Sequence, residues 1–297
     1  MTAAVSFCGL ELAHPIVNGS GTYDAIAARR AFGDALLERF PFSAFVSKTI
    51  TLAPRDGNPP PRLWEAPAGL INSIGLPNKG LAGYLAHDLP ELARLPVPLI
   101  TNVMGSTADE LAALVEAVDA RAEVDAIELN VSCPNVKTGL DIGADPRELG
   151  AVVARVRPLT AKPLIVKLTP NAADPAAAGQ AAEVAGADAV SLINTLRAYA
   201  PAPRAPGAPW LGGGTGGLSG PAVRAVALAQ VRAVAKRVTV PIVGMGGIQT
   251  GAHAVQFLEA GATLVAIGTE SFRDPAAGER IAGELRHLYA KSGDILG

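Results

Sequence analysis

Short apolar runs alternate with alanine-rich segments of helical periodicity along most of the chain. Eight runs have the length and β-branched composition of buried strands. They cover residues 14–21, 44–50, 97–103, 124–130, 162–168, 187–195, 240–247 and 262–269. Five segments between them repeat apolar residues every three to four positions and open with Thr, Asp or Pro, which suits a helix N-terminus. These predicted helices cover residues 107–121, 145–159, 174–187, 221–237 and 250–262.

This alternation predicts an α/β protein. Strands that are apolar almost throughout are typical of a parallel sheet buried on both faces. Eight such units within 297 residues favour a closed (β/α)8 TIM barrel, with a short N-terminal β-hairpin and inserted active-site loops. A doubly wound open sheet is the alternative. Barrels of this length are usually one domain, so we expect residues 1–297 to form a single domain.

Two segments rich in Pro and Gly interrupt the alternation, at residues 54–78 and 197–220. The pattern predicts irregular loops there, and long loops inside a compact domain are usually functional or disordered. Both follow strands, so in a barrel both lie on the face that carries active sites. Each contains a tryptophan, Trp64 or Trp210, that would serve as a lid, a subunit contact or packing.

Composition narrows the function classes. The net charge is −2 without a basic stripe, which argues against nucleic acid as a partner. No apolar run approaches the roughly 18 residues of a membrane span, and the N-terminus lacks the basic region of a signal peptide. Two cysteines, Cys8 and Cys133, cannot supply the four thiolates of an iron–sulfur cluster. We expect a reducing compartment, the cytoplasm, and no bound metal, because the histidines lack ligand spacing.

Polar side chains stand where the predicted strands end, although each alone also suits a strand cap. They are Asn18, Ser20, Lys48, Thr49, Asn102, Asn130, Cys133, Lys167, Asn194 and Thr195. Only seven of the 25 basic residues are lysines, yet two of the seven stand at strand ends. In a barrel these ends converge on one mouth. Amide and ammonium groups gathered there can hydrogen-bond a flat, carbonyl-rich heterocycle.

Glycines follow the last two strands, as Gly246–Gly247 and as Gly268 beside Thr269, and Gly220 precedes a helix. Barrels often bind a phosphate at this place through backbone N–H groups. Together with the polar mouth, the glycines predict a phosphorylated cofactor. A buried ammonium, for which Lys167 is the candidate, would stabilise negative charge that develops on a reduced flavin.

The motifs NSIGLPN, NVSCPNVKTG, VKLTPN, TGGLSGPAV, GMGGIQT and AIGT resemble those of the dihydroorotate dehydrogenase family, and more narrowly of class 1B catalytic subunits. The resemblance runs from about residue 5 to residue 272. It implies an FMN-binding barrel that oxidises dihydroorotate to orotate. After NVKTG the run LDIGAD departs from the family pattern, which puts loop motion and partner contacts in doubt.

The resemblance also implies site residues. Cys133 would be the catalytic base. Cys8 lacks such polar neighbours, so its own surroundings predict core or hairpin filler. The pyrimidine would be held by Lys48, Asn72, Ser73, Ile74, Gly75, Leu76, Asn130, Asn194 and Thr195. The FMN would be held by Ser20, Lys48, Thr49, Asn102, Asn130, Lys167, Ile193, Gly220, Gly246, Gly247, Gly268 and Thr269.

Class 1B further implies a heterotetramer, in which a partner subunit carries FAD and a [2Fe–2S] cluster, passes electrons to NAD⁺ and sits on a homodimeric core of this chain. Three alternatives stay open at the level of sequence. One is a class 1A homodimer that reduces fumarate, and another is a related dihydropyrimidine dehydrogenase. The third, from another class, is a flavin-binding assembly subunit without catalysis.

Overall fold

A computed structural model describes residues 4–131, 142–205 and 207–292 of the chain. The strands in chain order are β1 Val5–Phe7, β2 Leu10–Leu12, β3 Ile16–Asn18, β4 Phe45–Val46, β5 Leu63–Ala66, β6 Gly69–Asn72, β7 Leu99–Val103, β8 Ala126–Asn130, β9 Leu164–Lys167, β10 Ala189–Leu192, β11 Leu196–Ala198, β12 Gly216–Ser219, β13 Ile242–Met245 and β14 Leu264–Ile267.

The helices are α1 Ala25–Phe32, α2 Ala35–Glu38, α3 Gly80–Gly83, α4 Leu89–Leu92, α5 Ala108–Asp119, α6 Pro146–Val156, α7 Pro175–Val184, α8 Arg224–Ala235, α9 Gly251–Glu259, α10 Glu270–Arg273 and α11 Ala277–Ser292. A π-helical turn spans Tyr84–Asp88, and 3-10 turns span Arg157–Leu159 and Pro221–Val223. No helix in the described part of the chain is long and apolar enough to cross a membrane.

Eight parallel strands form one sheet in the order β3-β14-β13-β10-β9-β8-β7-β4. The edge strands β3 and β4 meet, so the sheet curls into a nearly closed barrel. The predicted eight strands and the TIM-barrel fold are therefore confirmed, and the open doubly wound sheet is excluded.

The five predicted helices are present as α5 to α9, and four of them begin at a side-chain cap. Thr107, Asp145, Asp174 and Thr250 each accept a hydrogen bond from a backbone N–H of the first turn. Such caps satisfy backbone donors that have no partner within the helix. Helices α1 and α11 are absent from the predicted set.

The predicted N-terminal hairpin is present as β1 and β2, and it closes the amino-terminal end of the barrel. Phe7 and Leu12 are fully buried against inward-facing strand residues such as Ile100, Ala126 and Ile165. Inward side chains alternate with outward ones that pack under the helices. Because apolar residues fill this end, the opposite mouth is the place where polar side chains can line a site.

The prediction of two irregular loops is correct only in part. Parts of residues 54–78 and 197–220 form a four-stranded antiparallel sheet in the order β11-β12-β6-β5, which lies at the mouth. Trp64 and Trp210 meet edge to face in this sheet, with ring centroids 5.5 Å apart. Its strands are short, β6 and β12 contain glycine, and β12 pairs with β6, about 145 residues away in sequence. Local pattern therefore carries little signal for it.

Candidate active site

The strand-end side chains gather at the mouth, as predicted. Asn130 and Lys167 end neighbouring strands β8 and β9 and are direct register partners. Asn102, on β7, lies opposite Glu128 of β8. All four side chains are buried. Parallel strands thus bring residues that are far apart in sequence into one polar floor.

Hydroxyl and amide groups link the first, second and fourth barrel strands. The Ser20 hydroxyl donates to the backbone oxygen of Ser47 at 2.8 Å and lies 3.4 Å from the Thr49 hydroxyl. Asn130 donates its Nδ2–H to Thr49 at 3.2 Å. These contacts hold Ser20, Thr49 and Asn130, three of the predicted cofactor residues, in one connected network.

The two polar atoms of the Asn102 amide differ, because one has a hydrogen-bond partner in the protein and the other has none. Its Nδ2–H donates to the Glu128 carboxylate, and the other carboxylate oxygen accepts from the Ser191 hydroxyl at 2.7 Å. The Asn102 Oδ1 atom is buried without a hydrogen-bond partner. An unsatisfied buried acceptor costs about 1–3 kcal/mol, so a ligand donor is the natural partner for this oxygen.

Glu128 and Ser191 are buried polar residues below the mouth that sequence reasoning missed. The signal was a carboxylate and a hydroxyl inside the otherwise apolar runs at 124–130 and 187–195. Buried carboxylates are rare unless they are paired or have a function.

The two strand-end lysines differ in environment. Lys167 is 6% exposed and makes no ion pair with a carboxylate among the described residues. Lys48 is exposed at the mouth. Desolvation lowers the pKa of its ammonium, opposed by the charge of Asp24 and assisted by that of Arg62. The mouth therefore offers one buried and one accessible cation.

The glycines after β13 and β14 converge with Gly220, as predicted. A Cβ atom at Gly247 would lie 2.7 Å from the Gly220 oxygen, and one at Gly220 would lie 3.7 Å from Thr269. Gly247 has φ +73°, which favours glycine. The backbone N–H groups of Gly247, Gly268 and Thr269 donate to no other group in the described part of the chain. This cluster is suited to an anion such as a phosphate.

The segment Asn72–Leu76 is held over the mouth by a neighbouring turn. The Asn58 N–H donates to the Ile74 oxygen at 3.0 Å, and the Asn58 side chain donates to the Ser73 hydroxyl at 2.9 Å. Gly75 has φ +75°, and a Cβ there would meet the Asn58 backbone at 2.4 Å. Ser73 is fully buried by this packing, so a contact between its side chain and a ligand stays a prediction.

Residues after β10 lie beside this segment. Ile193 is buried, while Asn194 and Thr195 are half-buried. The Thr195 N–H donates to Asn194 Oδ1 at 2.8 Å. Thr195 packs against Gly217, where a Cβ would lie 1.8 Å from the Thr195 hydroxyl. The strand that follows β10 thus joins the polar floor to the sheet at the mouth.

The predicted base Cys133 lies outside the described residues, which stop at 131 and resume at 142. Its role stays a prediction. The thiol of Cys8, at the turn of the N-terminal hairpin, donates a hydrogen bond to the backbone oxygen of Asp188 at 3.4 Å. Burial, followed by the charge of Asp188, raises the pKa of this thiol to about 11. Cys8 packs against the apolar cluster at the closed end of the barrel, which agrees with its predicted place as hairpin filler.

Comparison with known proteins agrees with this geometry. The family model described as dihydroorotate dehydrogenase matches residues 2–289. The chain belongs to the dihydroorotate dehydrogenase family. It is therefore an oxidoreductase, and FMN binding is a property of the family.

Curated relatives in this family are similar over nearly the whole chain. The catalytic subunit of dihydroorotate dehydrogenase B (NAD(+)) of Pelobacter propionicus is 44% identical, over 99% of this chain and 97% of that protein. The subunit of the same name from Desulforudis audaxviator is 44% identical over 98% and 93%. A crystal structure of a dihydroorotate dehydrogenase from Eimeria tenella in complex with ferulenol has a TM-score of 0.79 at 23% identity, covering 98% of this chain and 85% of that one. This last likeness shows the fold.

The residues at the mouth of this dihydroorotate dehydrogenase fit FMN. Asn102 Oδ1 is a buried acceptor without a partner, and Lys167 is a buried cation two strands away, next to Asn130. Gly247, Gly268 and Thr269 offer backbone donors for a phosphate. One mouth therefore provides for the ring and the phosphate of one cofactor.

Proposed function

We propose that this chain is the FMN-dependent catalytic subunit of a class 1B enzyme, which oxidises (S)-dihydroorotate to orotate in pyrimidine biosynthesis. The observation that carries the proposal is the unpaired, buried Asn102 Oδ1 atom beside the register pair Asn130–Lys167. A polar floor of this kind has no role in packing the barrel. It suits a flat ring with both donors and acceptors at its edge.

The cofactor would be held by residues from all sides of the mouth. They are Ser20, Lys48, Thr49, Asn102, Asn130, Lys167, Ile193, Gly220, Gly246, Gly247, Gly268 and Thr269. When bound, FMN supplies a hydride acceptor. Lys167 would stabilise the negative charge that develops during hydride transfer, because its buried ammonium forms no ion pair with a carboxylate in the described part of the chain.

The substrate would be held by side chains that meet between the barrel and the sheet at its mouth. They are Lys48, Asn72, Ser73, Ile74, Gly75, Leu76, Asn130, Asn194 and Thr195. These residues would orient the pyrimidine so that its C6 hydride leaves toward the cofactor. Cys133 would accept the C5 proton as a thiolate, and the C5–C6 double bond of orotate would form.

Electrons must then leave the chain, and its two cysteines cannot build an iron–sulfur cluster. The relatives from Pelobacter propionicus and Desulforudis audaxviator are named as catalytic subunits of an NAD(+)-linked enzyme. This supports a partner subunit with FAD and a [2Fe–2S] cluster, which would relay electrons to NAD⁺ from a cytoplasmic assembly built on a homodimer of this chain.

An acceptor assay tests this proposal. The purified chain is reduced with dihydroorotate without oxygen, and NAD⁺ or fumarate is added, with and without a co-expressed partner subunit. We expect reoxidation by NAD⁺ only when the partner is present. Rapid reoxidation of the isolated chain by fumarate would contradict class 1B while leaving dihydroorotate oxidation intact.

A further inference from the structure

A buried carboxylate lies one layer below the polar mouth. Glu128 is in the middle of β8 and is 3% exposed. Side chains alternate along a strand, so Glu128 shares its inward face with Asn130 above it and with Ala126 below it. Ala126 belongs to the apolar closed end of the barrel. Glu128 therefore lies between the apolar core at the closed end of the barrel and the polar residues at the mouth.

The contacts of Glu128 are with neutral groups. One carboxylate oxygen accepts from Asn102 Nδ2 and the other from Ser191 Oγ at 2.7 Å. No Lys, Arg or His side chain in the described residues lies within ion-pair distance of it. Burying a carboxylate without a cation is costly, and an apolar side chain would fill the same space for packing alone. The cost indicates a role other than fold stability.

The carboxylate determines which way the Asn102 amide points. A carboxylate oxygen only accepts hydrogen bonds, so the NH2 group of Asn102 must face Glu128. The reversed amide would place oxygen against oxygen. With the NH2 group fixed, Asn102 Oδ1 is turned away from Glu128, and it has no protein partner.

We propose that Glu128 is a positioning residue for FMN, which fixes the Asn102 amide so that its carbonyl oxygen is presented to the ring N–H donor of the flavin. The inference rests on the proposed FMN site. The negative charge of Glu128 below the mouth also opposes the gain of negative charge at the mouth, and so offsets part of the effect of Lys167. Glu128 therefore influences both the affinity for the cofactor and its reduction potential.

The test measures FMN affinity of the full-length apoprotein by flavin fluorescence, for the wild type, Glu128→Leu and Glu128→Gln. In Glu128→Leu the Asn102 NH2 group would face an apolar side chain whenever its oxygen faces the flavin, and an unpaired buried donor of this kind should weaken FMN binding by about tenfold or more. Glu128→Gln can hold Asn102 in either orientation. If half of the molecules present the oxygen, affinity falls only about twofold, so Gln largely rescues binding.

A second readout is the midpoint potential of the bound flavin. Glu128→Gln removes a negative charge at constant shape, so the potential should become more positive, by about 30 mV for a tenfold change in the two-electron equilibrium. The matched control is Thr101→Val, a buried position on the same strand as Asn102, whose hydroxyl contacts Tyr84 on the other face. It should change thermal stability without changing the affinity or the potential.

The outcomes separate the two levels of the proposal. A wild-type chain that binds no FMN would overturn the proposed function itself. A wild type that binds FMN, with Glu128→Leu folded and binding equally well, would overturn the role of Glu128. Should Glu128→Leu fail to fold by circular dichroism, an unchanged potential in Glu128→Gln would overturn it instead.

Discussion

The Asn18 side chain forms hydrogen bonds in both directions with the backbone of Val46. Its Nδ2–H donates to the Val46 oxygen at 2.8 Å, and its Oδ1 accepts from the Val46 N–H at 2.8 Å. Val46 ends the two-residue strand β4, which leaves these groups without a strand partner on that side. The amide of Asn18 thus stands in for a backbone unit where the barrel closes.

Replacing Asn18 should weaken the contact between β3 and β4, where the barrel closes. Asn18→Ala leaves the buried N–H and oxygen of Val46 without partners, which should lower the free energy of unfolding by about 2–4 kcal/mol. Urea denaturation measures it. The control is Ser43→Ala near the same strands. The Ser43 hydroxyl donates to the backbone oxygens of His14 at 2.5 Å and Ile16 at 3.0 Å, and the Ser43 N–H also bonds the Ile16 oxygen, so the variant leaves only the partly exposed His14 oxygen without a protein donor. It should cost about 1 kcal/mol or less, and equal losses in the two variants would contradict the closing role of Asn18.

Lys167 should act on the cofactor and not on the fold. Lys167→Met removes the buried ammonium at the mouth and should slow flavin reduction by dihydroorotate about 100-fold or more, since it removes charge stabilisation where charge develops. Stopped-flow absorbance measures the rate. Lys162→Met is the control, because Lys162 stands just before the other end of β9. If both variants reduced their flavin at the wild-type rate, Lys167 would not have the proposed role.

Cys133 should be required for proton removal but not for FMN binding. Cys133→Ala should retain FMN and slow flavin reduction by orders of magnitude, as loss of a general base does. Cys133→Ser should keep weak activity with its optimum at higher pH, because a hydroxyl is harder to ionise than a thiol. Cys8→Ala controls for loss of the other thiol and should behave as wild type. A pH profile unchanged by Cys133→Ser would refute the thiolate base.

His14 should make the fold sensitive to acid. Burial, assisted by the charge of Arg286, lowers the pKa of His14 to about 4, against 6.5 for a free imidazole. Between these values the unfolded chain binds a proton that the folded chain does not, so stability is complete above pH 6.5 and falls toward pH 4. Because His14 is partly exposed, the loss should be roughly 1–2 kcal/mol.

The matched variant for this effect is His14→Asn. The His14 Nδ1 atom accepts from the Ile16 N–H at 3.3 Å, and an asparagine oxygen can accept from the same N–H two residues on. Denaturation between pH 7 and pH 4 should therefore show a smaller acid loss for His14→Asn than for wild type. An acid loss for His14→Asn equal to that of wild type would count against the argument.

The barrel could be predicted from the sequence because its signal is local. The runs at 97–103, 124–130 and 162–168 are each apolar enough to mark a buried parallel strand without reference to the others. The polar residues at strand ends then followed from the geometry of barrels, and Asn102, Asn130 and Lys167 do meet at the mouth.

The remaining features depend on contacts that local pattern does not contain. Strand β12 has two glycines and pairs with β6, about 145 residues away in sequence, so no periodicity marks it. In the sequence, Glu128 is a single polar position in an apolar strand. Its contacts with Asn102 and Ser191 are visible only in the folded structure. The closing role of Asn18 likewise depends on Val46 lying opposite it. These features, and the orientation of the Asn102 amide, depend on tertiary contacts.

The most direct measurement of the central claim is an anaerobic spectral titration of the purified chain with dihydroorotate. We predict a yellow protein with the absorbance of bound FMN, which bleaches on addition of dihydroorotate as orotate appears in a 1:1 ratio to the flavin. A yellow protein that does not bleach with dihydroorotate would contradict the substrate assignment. A colourless protein that does not take up FMN would contradict the account of the mouth as a flavin site.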